Sequence, residues 1–153
     1  MVTAEKDQMQ KISQFCRQHP EIIAAYLFGS RAVGKAGALS DLDLAFLIDY
    51  SLIRNKYRYG YHAYLVSELI NLLSTNDVDV VILNEAPPFL KFQVINRGKV
   101  IFCRSEREKL AFHVKAFNEY QDFRPFIAVQ NYYMVNRLKN PEGGYGDRQG
   151  NDP

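Results

Sequence analysis

Tryptophan is absent from this 153-residue chain, cysteine occurs twice and histidine three times. Two cysteines, Cys16 and Cys103, cannot frame a disulfide-stapled fold, and nothing calls for an oxidising compartment. No apolar run approaches the ~20 residues of a membrane-spanning helix. The opening segment, MVTAEKDQMQ, lacks the apolar core of a secretion signal. An excess of one charge is missing too. Nineteen Lys and Arg face seventeen Asp and Glu, a net charge of +2, and the basic residues are scattered along the chain. A dedicated nucleic-acid surface clusters its positive charge, so no direct nucleic-acid binding is expected. The resulting expectation is a reduced, cytoplasmic protein that stays off membranes.

What is present is ordinary globular composition, 47% hydrophobic and 24% charged, which excludes disorder over the whole chain. The length fits one domain with a real core. Only residues 140–153, NPEGGYGDRQGNDP, hold almost nothing to bury. They are expected to form a loose tail behind a folded unit of residues 1–139. Aromatic residues are plentiful, ten Tyr and ten Phe. Tyr57, Tyr59, Tyr61, Tyr64, Tyr120, Tyr132 and Tyr133 exceed what a small core can hide, so some are expected at a partner surface.

Periodicity alternates between helix and strand. Met9, Ile12 and Cys16 recur at helical spacing within residues 4–18. IIAAYLF at 22–28 is a short apolar run that ends at Gly29, the pattern of a buried strand. LDLAFLI at 42–48 predicts a second strand. Residues 52–74 predict a helix with Tyr57, Tyr61, Leu65, Leu69 and Leu72 on one stripe. VDVVIL at 78–83 predicts a third strand. Pro87 and Pro88 open a helix that Gly98 closes, and KVIFC at 99–103 is a fourth strand. Ser105 and Glu108 form a capping box for a last helical region reaching about 138, kinked or divided at Pro125. This order predicts an α/β (α+β) domain with one central mixed sheet of about four strands flanked by helices.

The chemistry concentrates in residues 27–49, LFGSRAVGKAGALSDLDLAFLID. Strand side chains alternate, so Asp41 and Asp43 share one face with Ala45 and Leu47, while Leu42, Leu44, Phe46 and Ile48 line the other. Two carboxylates at i and i+2 repel each other, and leaving both unpaired on a half-buried strand is costly. A hard divalent cation resolves that conflict, because carboxylate oxygens suit Mg²⁺ and Mg²⁺ suits phosphates. Gly29 lets backbone approach a ligand closely, and Ser30 offers a hydroxyl and an N–H. A helix starting after Ser30 would turn its amides toward phosphate oxygens. Asp79 is a further acid embedded in an apolar strand. If that strand lies beside 42–48, the three acids can hold two metals for in-line displacement at phosphorus. Asp77 competes for the role, but Asn76-Asp77 has the look of the preceding turn.

Gly29-Ser30, ten further residues, Asp41-x-Asp43 and the apolar-flanked Asp79 resemble the polymerase-β-like nucleotidyltransferase superfamily. GSRAVGKAGALSDLDL looks most like its minimal members, among them antitoxins of HEPN–MNT toxin–antitoxin pairs. The resemblance spans roughly residues 5–105. It departs from many relatives at Val33, where they carry a second arginine, although Arg31 and Lys35 remain nearby. The resemblance implies a Mg²⁺-dependent transfer of AMP from ATP to a hydroxyl. Asp41 and Asp43 would coordinate two Mg²⁺, and Asp79 would share one and help deprotonate the acceptor. Gly29 and Ser30 would hold the β- and γ-phosphates, with Arg31 offsetting negative charge. The implied acceptor is a tyrosine of a cognate HEPN toxin, which is thereby neutralised. Two alternatives stand beside this: an antitoxin that acts by contact alone with a weak active site, and transfer to a small molecule of antibiotic type. Arg107 and His113 have the spacing of the HEPN ribonuclease motif, but only about thirty helical residues surround them, and they read as ordinary helix residues. His62 and His113 lack metal-ligand company, and Cys16 and Cys103 read as small buried hydrophobes.

Overall fold

The structure is a computed structural model that describes residues 2–29, 32, 41–53 and 60–139. The chain builds α1 (Val2–Gln18), β1 (Ile22–Phe28), β2 (Leu42–Ile48), α2 (Tyr61–Leu73), β3 (Val78–Ile82), α3 (Pro88–Arg97), β4 (Lys99–Cys103) and α4 (Glu106–Lys139). The strands form one mixed sheet in the order β3-β2-β1-β4. β1 is antiparallel to both β2 and β4, and β3 lies parallel to β2. This is the α+β domain with a four-stranded sheet that the periodicity predicts.

Alternation along β2 sorts the two cores. Leu42, Leu44, Phe46 and Ile48 pack with Ile12 and Phe15 of α1 and Leu65 and Leu69 of α2. Ala45 and Leu47 face the other way and pack with Tyr26, Val94 and the partly buried Leu90 and Phe112, which belong to α3 and α4. Each fully buried large side chain contributes about 1.5–3 kcal/mol, so both faces hold the sheet. Asp43 therefore belongs to the α3/α4 face. It sits near the end of the sheet where β1 finishes and β2, β3 and β4 begin.

Two expectations are corrected. The helix predicted over 52–74 begins only at Tyr61. Asp49 instead caps a short 3₁₀ turn, Tyr50–Leu52, by accepting from the Ser51 N–H. Gly60 precedes the helix at φ +90°, a backbone state that a helix cannot contain. Tyr57 lies outside the described residues. Of the kink or division expected at Pro125, the division does not occur, for α4 runs unbroken through it. Proline removes one intrahelical hydrogen bond there, and the flanking turns carry the helix across. At the start of α4 the Glu108 N–H donates to Ser105 Oγ at 3.2 Å, half of the expected capping box. Residues 140–153, expected as a tail, lie outside the described residues.

Two side chains lock the sheet ends. Asn84 pairs both ways with Ile48, its Oδ1 accepting from the N–H at 2.9 Å and its Nδ2 donating to the C=O at 2.8 Å. Arg104 donates to the carbonyls of Cys16 at 2.7 Å, Arg17 at 3.2 Å, His19 at 3.3 Å and Ile22 at 3.1 Å. It adds side-chain donors at the C-terminus of α1, where the His19 N–H also donates to the Cys16 carbonyl at 3.1 Å.

Candidate functional site

Asp43 and Asp79 come side by side where β2 and β3 begin. The Leu42 N–H donates to the Asp77 carbonyl at 2.9 Å, which starts the parallel ladder. From there Leu42 pairs with Val78 and Asp43 with Asp79. Residues opposed in a ladder point to the same face, so the Asp43 and Asp79 side chains leave the sheet together. Asp41, two residues before Asp43, is exposed just ahead of β2. Asp43 is half-buried and Asp79 exposed on the edge strand. Asp77 stays in the turn, its N–H donating to Thr75 Oγ1. Among the described residues, no group of three or more His, Cys, Asp or Glu is drawn together closely enough to hold a metal ion.

Gly29 borders the acids from the next strand. Phe28 is the β1 partner of Asp43, and Gly29 follows it at φ +74°. A Cβ at Gly29 would land on the Asp43 carboxylate, 2.9 Å from its Cγ. Only glycine suits both the backbone angle and the space. Its carbonyl accepts from the Ala32 N–H at 3.2 Å, turning the chain directly after β1. Ser30 and Arg31, the other expected phosphate contacts, lie outside the described residues, as do Val33 and Lys35.

Sequence reasoning missed a neighbouring feature. A pocket of about 290 Å³ opens beside Gly29, lined by Phe28, Gly29, Gln93 and Arg97. Gln93 and Arg97 are four residues apart on α3 and so share a face. Periodicity alone shows them as ordinary exposed helix residues.

The three histidines are tied into the fold. His19 bonds to the Phe15 carbonyl at 2.8 Å and to the Tyr64 hydroxyl at 3.0 Å. His62 Nε2 donates to the Val80 carbonyl at 2.8 Å. His113 Nε2 lies 2.7 Å from the Tyr26 hydroxyl, while Arg107 is exposed, so the two do not act as a pair. Burial pushes His113 below the ordinary histidine value, and nearby Lys109 adds to the effect. Burial pushes the Cys16 thiol up to about 12, which leaves it inert as a nucleophile. Cys103 is only half-buried, less than expected. Of the tyrosines expected in part at the surface, Tyr132 is exposed, Tyr64 and Tyr120 are half-buried and Tyr61 is buried. Tyr57, Tyr59 and Tyr133 have no described side chain. The exposed large apolar residues of α4 include Leu110, Val114, Phe117, Phe123 and Phe126.

Residues 10–107 match the family described as Polymerase beta, Nucleotidyltransferase. No curated protein sequence matches the chain. Among solved structures, a chain of a toxin–antitoxin crystal structure with AMP-PNP is 28% identical, with a TM-score of 0.66 over 82% of this chain and 98% of that one. A chain from the crystal structure of the toxin–antitoxin pair MntA–HepT is 26% identical, with a TM-score of 0.61 over 84% and 98%. A third comes from a tri-AMPylated Shewanella oneidensis HEPN toxin in complex with MNT antitoxin. It is 26% identical, with a TM-score of 0.62 over 84% and 98%.

Proposed function

Because this chain belongs to the polymerase beta nucleotidyltransferase family, we propose that it is the antitoxin of a HEPN–MNT pair, transferring AMP from ATP to a tyrosine hydroxyl of its toxin. The observation that carries the reading is the register: Asp43 opposes Asp79 across β2 and β3, and the missing side chain of Gly29 gives the Asp43 carboxylate its room. The likeness to chains from complexes with AMP-PNP and with a tri-AMPylated toxin supports the choice of nucleotide and partner.

The acceptor oxygen bonds to the α-phosphorus, and the bond from that phosphorus to its bridging oxygen breaks. Pyrophosphate departs with the electron pair, and the hydroxyl proton passes to Asp79. Gly29 and Ser30 hold the β- and γ-phosphates, and Arg31 offsets negative charge as it develops. The donor set suits a hard divalent cation, because carboxylate oxygens stand on neighbouring strands. Asp43 and Asp79 would hold Mg²⁺ together with Asp41 from the β2 entry, in the two-ion arrangement this displacement uses. When bound, the ions supply Lewis-acid polarisation of the phosphoryl oxygens.

A contact-only antitoxin draws on a different observation, the exposed Phe117, Phe123 and Phe126 of α4, which suit a partner surface. Intact-mass spectrometry of the co-expressed partner separates the two readings. With ATP and Mg²⁺ the partner should gain one or more AMP units, and should gain none with the Asp41→Ala/Asp43→Ala variant. No gain with the native chain, while a stable complex still forms, would leave contact alone as the function.

A further inference from the structure

The end of the sheet is laid out by charge. Asp79 and Asp43 stand at the starts of β3 and β2. Gly29 follows at the end of β1, and α3 delivers Arg97 just before β4, on the far side of β1 from the acids. From β2 to β4 is two strand spacings, about 10 Å. A triphosphate and an arginine side chain together bridge that gap.

Arg97 is placed by packing. The Gly98 N–H donates to the Val94 carbonyl at 2.8 Å, closing the helix. A Cβ on Gly98 would strike that same carbonyl and come within 3.3 Å of the Leu27 carbonyl, so the end of α3 is pressed against β1 beside Phe28 and Gly29. Phe92 stacks on Tyr120 with ring centroids 4.0 Å apart, and Lys91 pairs with Glu119 at 3.1 Å, fixing the rotation of α3 against α4. Gln93 and Arg97 then line the pocket at Gly29. Among the described residues, Arg97 is the only cation lining it and has no carboxylate partner. Lys99 pairs with Leu27 and lines a different pocket, on the α1 side.

We propose that Arg97, with Gln93 one turn before it, holds the terminal phosphates of the nucleoside triphosphate and the pyrophosphate released from it. A guanidinium fork matches phosphate oxygens in a way that few other side chains do. The pocket also begins at the glycine assigned to the phosphates. The inference rests on the nucleotidyl-transfer reading above and adds a leaving-group subsite to it.

Equilibrium binding of ATP, AMP and inorganic pyrophosphate, with Mg²⁺ present, to native chain, Arg97→Ala and Arg97→Lys tests it. Arg97 is exposed, so the variants should keep the native melting temperature. The expected result is a loss of about tenfold or more for ATP and pyrophosphate in Arg97→Ala, partial recovery in Arg97→Lys, and AMP affinity within about twofold. Equal losses for ATP and AMP would place the base or ribose in the pocket and overturn the proposal. Native ATP binding with no change in Arg97→Ala would overturn it while leaving nucleotidyl transfer standing. A native chain that binds none of the three would remove both.

Discussion

At the scale of single residues, Gly29 is tightly constrained within the candidate site. Its φ of +74° disfavours any side chain, and the space a Cβ would need is held by Asp43. Gly29→Ala should therefore cost about 1–2 kcal/mol of backbone strain. It should also push Asp43 out of line with Asp79, and displacements of ~1 Å at a reacting centre cost about a hundredfold in rate. The checks are a urea melt and the rate of AMP incorporation. A variant with native rate would show that the Asp43 position tolerates movement. The motif spacing proposes Gly29, Asp41, Asp43 and Asp79 as site residues. What it could not reveal was which groups from distant segments surround them. Arg97 is separated from Gly29 by 67 residues and carries no local signal.

At the scale of elements, α1 depends on a side chain far away in sequence. Arg104 follows β4, yet three of its bonds go to carbonyls at and just beyond the end of α1, and a fourth to Ile22 at the start of β1. Charge-assisted bonds of this type contribute about 1.5–3 kcal/mol, and partial exposure lowers that. Arg104→Ala should lose about 1–3 kcal/mol in denaturant unfolding, and Arg104→Lys should recover only part, since one ammonium cannot replace the planar fork. Equal stability of all three proteins would show that water caps the helix as well as arginine does. The start of α2 also belongs to this scale. Apolar spacing extended that helix back to residue 52, but periodicity reports only which residues could share a face. The φ of Gly60 decides where α2 starts.

At the scale of the whole molecule, the sheet is a two-sided floor with α1 and α2 on one face and α3 and α4 on the other. The bond between Tyr26 in the sheet and His113 in α4 spans the second layer. Burial holds His113 below its ordinary value and raises Tyr26, so the folded state favours both in their neutral forms. Below the ordinary histidine value of about 6.5, the unfolded chain binds this proton more readily than the folded one. Stability should therefore fall as pH drops from about 6.5 through the lower folded value. Melting temperatures at pH 7.5 and 5.5 should differ more for the native chain than for His113→Gln. An equal difference in both would assign the acid sensitivity to other groups.

The local chain by itself determined the element types, the assignment of the β2 residues to two faces and the composition of the acid motif. All three follow from alternation, apolar spacing and glycine placement within a few residues. The tertiary structure decided the rest. Parallel pairing of β3 with β2 opposed Asp79 to Asp43, a register set by a ladder between segments 36 residues apart in sequence. Packing of α3 against β1 and α4 brought Arg97 and Gln93 to the pocket at Gly29. Packing then buried Tyr61, left Tyr132 exposed as the composition suggested for some tyrosines, and left Phe117, Phe123 and Phe126 of α4 exposed. Sequence neighbours fix a residue's local direction, but which distant group it meets depends on how the layers close over the sheet.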